Sequence, residues 1–167
     1  MKKSNKTCTA TDIINRWCSM CLSRRPGTFV FPNTYIGAFE ADIVEITKAG
    51  YAHEFEVKTS RSDFRIDSAK EAKYRWHDNE KKYDKLIAGN HVNSFSFVVP
   101  DGMVTVDDVP EWAGLIYVTI KDGKPYWFRI VKPAKSLSKE KHGDRIKDKC
   151  YMSTYFRFHK LRIKPNG

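Results

Sequence analysis

The apolar positions of this chain change period along its length. Ile13, Ile14, Trp17, Cys18 and Cys21 recur on one helical face, behind Thr9 and Asp12 at capping-box spacing with Asp in place of the usual Glu. This predicts a helix beginning near Thr9 or Thr11 and stopped by Arg24-Arg25-Pro26-Gly27, because Pro and Gly break helices. From Phe29 to Thr59 the pattern becomes that of strands. Residues 34–47 (TYIGAFEADIVEIT) and 51–59 (YAHEFEVKT) are rich in β-branched and aromatic residues, and the Gly of KAGY between them suits a tight turn. An antiparallel hairpin is expected. With its turn centred near Ala49, Asp42 falls opposite Glu56. Alternation then places Asp42, Glu56 and Lys58 on one face, with Glu40 and Glu54 nearby, and Ile43, Phe55 and Val57 on the other. A slip of one residue would undo this arrangement.

Ser60 and Asp63 again stand at capping spacing, and Ala69, Ala72, Trp76, Tyr83, Leu86 and Ile87 roughly hold one stripe. Lys70, Lys73, Lys81, Lys82 and Lys85 take much of the rest of this helix, and HDNE at 77–80 is a place where it can break. SFSFVVP then reads as a short buried strand, and strand–helix–strand order implies a right-handed crossover. GLIYVTI and KPYWFRIV form a hairpin around Asp-Gly. Residues 132–143 read as a polar, turn-prone linker, and residues 144–160 as a C-terminal basic helix with aromatics, although TYFRF suits an edge strand equally well. The whole predicts one domain of 167 residues with a core at about 9–131, of α/β class, with a mixed central β-sheet flanked by helices.

Composition narrows the setting. No apolar run is long enough to cross a bilayer, and the basic start MKKSNKTCTA has no apolar stretch after it, so a cytoplasmic protein without membrane contact is expected. Cys8, Cys18, Cys21 and Cys150 are then read as reduced thiols. The balance of 30 Lys+Arg against 20 Asp+Glu, a net charge of +10, points to phosphate backbones or other anionic surfaces. Basic residues interleave with aromatics in AKYRWH, KKYDK and YFRFHKLR, which tilts the reading to nucleic acid.

Cutting a phosphodiester without a covalent intermediate calls for a divalent cation, and a hard cation such as Mg²⁺ takes carboxylate and backbone oxygens. Asp42 and Glu56 on adjacent strands meet that need, the Val57 carbonyl can add a ligand, and Lys58 is placed to orient water or offset charge developing on phosphate. The bland alternative is a solvated strand face bearing alternate Glu and Lys.

Ala41-Asp42, thirteen intervening residues and Glu56-Val57-Lys58, in a hairpin between two helices, resemble the PD-(D/E)xK nuclease superfamily. VKTSRSDFRID, FSFVVPDGMV and EWAGLIYV are similar in particular to its MmcB-like DNA-repair branch and to related phage and bacterial nucleases. The resemblance covers roughly Thr9 to Val118, with Ala41 in place of the family's motif proline. It implies a restriction-endonuclease-like core of α-β-β-β-α-β order, a four-stranded mixed sheet, Mg²⁺ or Mn²⁺ as cofactor, and DNA as substrate.

On that reading Asp42, Glu56 and Lys58 are catalytic, and Asp42, Glu56, Val57 and Glu40, which shares the face of Asp42, are the candidate metal ligands. Arg61, Arg65 and Lys73 would hold the phosphate backbone, while Tyr74 and Trp76 pack. Asp12 and Asp63 serve better as helix caps than as ligands, and Glu54 is expected to face solvent beside the site. Cys18 and Cys21 lie on an apolar helix stripe, where cysteine packs as a small hydrophobe, and none of the five histidines is assigned a catalytic role. The competing class is a catalytically inactive module on the same fold that binds nucleic acid or a partner. A homodimer or a partner subunit is a further expectation, because a duplex cutter with one site per chain needs a second copy or two successive nicks.

Overall fold

A computed structural model describes residues 8–69 and 82–163. In chain order its elements are α1 (Ala10–Arg24), β1 (Phe29–Ile36), β2 (Phe39–Ile46), β3 (Ala52–Val57), α2 (Arg61–Ala69), α3 (Lys82–Ile87), β4 (Ser94–Pro100), β5 (Gly114–Lys121), β6 (Lys124–Lys132) and α4 (Gly143–Ile163). The strands form one mixed sheet in sequence order, with β3, β4 and β5 parallel and the outer pairings antiparallel. This is an α/β fold with helices on both faces of its sheet. Its six strands exceed the four that the nuclease resemblance implies.

The α1 capping box forms as its spacing predicts: Thr9 Oγ1 accepts the Asp12 N–H, and the Asp12 carboxylate accepts the Thr9 N–H. Asp12 is therefore a cap. Ile13, Ile14, Trp17 and Cys21 pack on Ile43, Phe55, Val57, Val98 and Ile116, which fills one face of the sheet. Val44, Phe64, Leu86, Phe95, Phe97, Leu115 and Ile146 fill the other. β4 is thus covered on both sides, which is why a central parallel strand reads as a nearly unbroken apolar run.

Several sequence expectations change. Residues 34–47 are two strands, because the chain reverses after Ile36 and pairs it with Phe39. Gly37, at φ 72°, supplies the left-handed backbone this turn needs, and the apolar residues flanking it hide the break. The Asp122-Gly123 turn has φ 51° and 70°, the two positive values of a type I′ hairpin. Of the predicted stripe, Leu86 is fully buried and Tyr83 packs on the core, but Ile87, at the end of α3, is exposed. Ala72, Lys70, Lys73, Tyr74, Trp76, Lys81 and the HDNE break lie outside the described residues. TYFRF is part of α4 and not an edge strand.

The 132–143 segment is no loose spacer. The Asn93 side-chain amide donates to the carbonyls of Ser138 and Glu140, Leu137 N–H donates to Asn93 O, and Lys132 Nζ donates to the carbonyls of Val109 and Pro110. These contacts fix where α4 begins. Gly143 N–H donates to Gly50 O at 3.0 Å, and a Cβ on Gly143 would lie 2.7 Å from that oxygen. Gly143→Ala is expected to cost about 1–3 kcal/mol through this overlap, read as a lower urea midpoint at unchanged slope. Among the described residues, no helix is long and apolar enough to cross a membrane.

Candidate active site

The β2–β3 register sets Ile43 opposite Phe55 and Val44 opposite Glu54, and one step further along it brings Asp42 beside Glu56. The strands are locked there by the Val57 N–H, which donates to Asp42 Oδ2 at 2.8 Å. Lys58 follows at the end of β3, its N–H bonded to Val98 O and its side chain buried. Its Nζ lies 2.9 Å from Glu56 Oε1 and 4.0 Å from Asp63 Oδ1. The three motif residues thus come together as their spacing predicts.

A second lysine completes the cluster. Lys82, at the start of α3, places Nζ 2.5 Å from Glu54 Oε1, 3.1 Å from Glu56 Oε2 and 3.1 Å from the Glu40 carbonyl. Glu54, expected at the surface, is wholly buried. It shares the Glu56 face but lies deeper in the sheet, beneath the helix layer. Its Oε2 is 3.1 Å from His91 Nε2, and because a carboxylate only accepts, that nitrogen carries the proton. Burial works against charge on Glu54, but Lys82 and then His91 outweigh it and hold its carboxyl below the usual range. Burial likewise disfavours the Lys82 ammonium, and Glu54 and Glu56 more than restore it, raising its pKa.

Asp42 is held by a backbone N–H rather than an ammonium. Burial, and then the charge of Glu56, push its pKa up to about 6, against the opposing pull of the Val57 N–H, Lys58 and Lys82. Among the described residues, three carboxylates, Asp42, Glu54 and Glu56, face the two ammoniums of Lys58 and Lys82. The donor set fits a hard divalent cation: two carboxylates from adjacent strands, next to the Val57 backbone that already faces Asp42. Among the described residues, no three or more His, Cys, Asp or Glu are gathered into a metal cage.

The remaining candidates are more scattered. The Glu40 carboxylate is bound by Tyr35 Oη at 3.3 Å and approached by Arg157 at 3.6 Å. Arg61 and Arg65 are exposed on α2, which follows directly after Lys58, while Lys73 lies outside the described residues. Ser60 Oγ accepts the Asp63 N–H, as the cap spacing predicts. Cys8, Cys18 and Cys21 are on the α1 side of the sheet and Cys150 is on the other, so the fold does not assemble the four thiols. A groove of about 540 Å³ opens on the α1 face, the opposite side of the sheet from this chemistry. Its buried acid, Glu45, is satisfied by the Trp17 indole N–H, the Cys21 thiol and Arg25.

Nothing in the sequence singles out Lys82 from the other lysines of its helix. The one available signal for Glu54 was its place two residues before Glu56, which assigns the face but not the depth.

No protein-family model matches the chain, and no curated protein matches it. A solved structure, the SPO1766 protein of unknown function from Silicibacter pomeroyi, is similar with a TM-score of 0.58 at 15% identity. The match covers 90% of this chain and 92% of that one, and at this identity it speaks to fold alone.

Proposed function

We propose that this chain is a metal-dependent DNA endonuclease of the PD-(D/E)xK type, acting in the cytoplasm in DNA repair or in a phage or defence system. The observation that carries the reading is Asp42 reaching the Val57 N–H on the neighbouring strand beside Glu56, with Lys58 2.9 Å from Glu56. Mg²⁺ or Mn²⁺, when bound, would polarise the scissile phosphate and activate water. Asp42, Glu56 and the Val57 carbonyl would hold it. Lys58 supplies a compact cation that can orient the attacking water or offset charge on the phosphate, at the cost of loosening its bond to Glu56. Lys82 holds Glu54 and Glu56 in place from the far side.

Arg61 and Arg65 offer the phosphate contacts nearest the motif in sequence, on a chain of net charge +10. Replacing either by Ala is expected to weaken DNA binding evenly across sequences. It should also flatten the plot of log affinity against log salt by about one unit of slope per residue, measured by fluorescence anisotropy over a salt series.

The test is cleavage of labelled single-stranded, duplex and branched DNA with Mg²⁺, Mn²⁺ or EDTA. Cutting that requires the metal supports the proposal; DNA binding with no cutting under any metal overturns it. In that event the same face is a nucleic-acid-binding module. One observation favours that second reading: both Glu56 oxygens already meet an ammonium, from Lys58 and Lys82.

A further inference from the structure

The distal half of α4 is the largest display of aromatic side chains to solvent on the described surface. Tyr155, Phe156, Phe158 and Leu161 are all more than half exposed, and Tyr151 and Met152 are close to half. Soluble proteins seldom leave such a patch without a use. The rings alternate with Arg157, Lys160 and Arg162, and the helix has no acidic residue after Asp148. Two of the rings are already paired with cations or flat neighbours: Arg162 lies 5.6 Å over Phe158, and Tyr155 packs 4.6 Å from His159.

The helix is tied to β1 and to β2, the second of which carries Asp42. Tyr35 N–H donates to Ser153 Oγ, and Arg157 reaches Glu40, two residues before Asp42 on β2. Cys150 and Ile146 are buried against the sheet, which leaves the ring-bearing side outward.

We infer that α4 holds an unpaired strand of DNA beside the Asp42–Glu56 site by stacking bases on Tyr155 and Phe158 while its basic residues meet the phosphates. The substrate class would then be DNA with a single-stranded segment. This deepens the nuclease reading and rests on it for the cutting step. A duplex keeps its base faces stacked inside and offers these rings nothing, whereas an unpaired strand presents a free face at every base. A second copy is a poor occupant: this half of the helix carries Lys160 and Arg162 and no acidic residue after Asp148, so two such faces would repel.

The experiment uses the full chain in EDTA, with fluorescence anisotropy of a labelled oligothymidylate and of a duplex, and sedimentation of the protein alone. The Tyr155→Ala/Phe158→Ala variant is compared with Tyr155→Phe/Phe158→Tyr, which keeps both rings, and circular dichroism checks that each is folded. Single-strand affinity is expected to fall about tenfold per ring lost, with duplex affinity unchanged and the ring-keeping variant like wild type. Unchanged single-strand affinity in the alanine variant would overturn the inference. So would an equal loss on duplex, or a wild-type dimer that the alanine variant dissolves. Binding is read without metal, so a chain that cuts nothing but loses single-strand affinity with its rings would sink the nuclease reading and keep this one.

Discussion

Asp42→Asn is expected to lower metal-dependent DNA cleavage about a thousandfold or more while leaving the protein folded. Asn keeps the shape of the side chain and an oxygen to accept the Val57 N–H, now 2.8 Å from Asp42. What it loses is the charge, and with it one of two carboxylates that can hold a hard cation. Lys58→Ala should have an effect of the same order, because a cation placed where charge develops in a water-poor site is worth about 10²–10³ in rate. The two variants differ in a useful way. Lys58→Ala leaves Glu56 with one lysine fewer and is expected to lower stability, whereas Asp42→Asn removes a partly buried charge that Glu56 disfavours and should unfold at the same or a higher urea concentration. Rates from single-turnover assays, set beside urea midpoints, separate loss of chemistry from loss of structure. Full cleavage by folded Asp42→Asn would sink the assignment of this cluster as the active site.

Lys82→Met is expected to destabilise the fold by about 3–5 kcal/mol, the size typical of removing one partner from a buried ion pair. Against a total stability of about 5–15 kcal/mol for ordinary domains, this is a large share. Glu54 is fully buried and Lys82 lies 2.5 Å from it, so the substitution leaves a carboxylate in the core with His91 alone, among the described residues, to answer it. Adding Glu54→Gln should recover much of the loss, since the His91 N–H can still donate to the amide oxygen. Urea denaturation of wild type, both single variants and the double variant gives the coupling directly, and additive losses would show that the pair does not act as a unit.

The site was more legible in the sequence than its surroundings. Strand alternation has a period of two, so a turn near Ala49 is enough to count Asp42 onto Glu56 and to send Ile43, Phe55 and Val57 to the opposite face. The capped α1, the Asp-Gly hairpin of β5 and β6 and the buried β4 were legible for the same reason, because each depends on residues within a few positions of one another. The reversal at Gly37 was hidden because a single glycine among Tyr35, Ile36, Ala38 and Phe39 leaves the apolar pattern unbroken.

By itself, then, the sequence determined the mixed α/β class, most of the elements though not the separate β1, and the placing of Asp42 beside Glu56, all consequences of local period and turn chemistry. Only the tertiary structure decided that Glu54 is buried, that Lys82, twenty-eight positions further on, is the lysine that answers it, and that Asn93 pins the 132–143 segment. It also decided that the rings of α4 face outward. Depth and long-range charge pairing depend on which surfaces the crossover and the last helix bring together, and no periodicity along a chain encodes that.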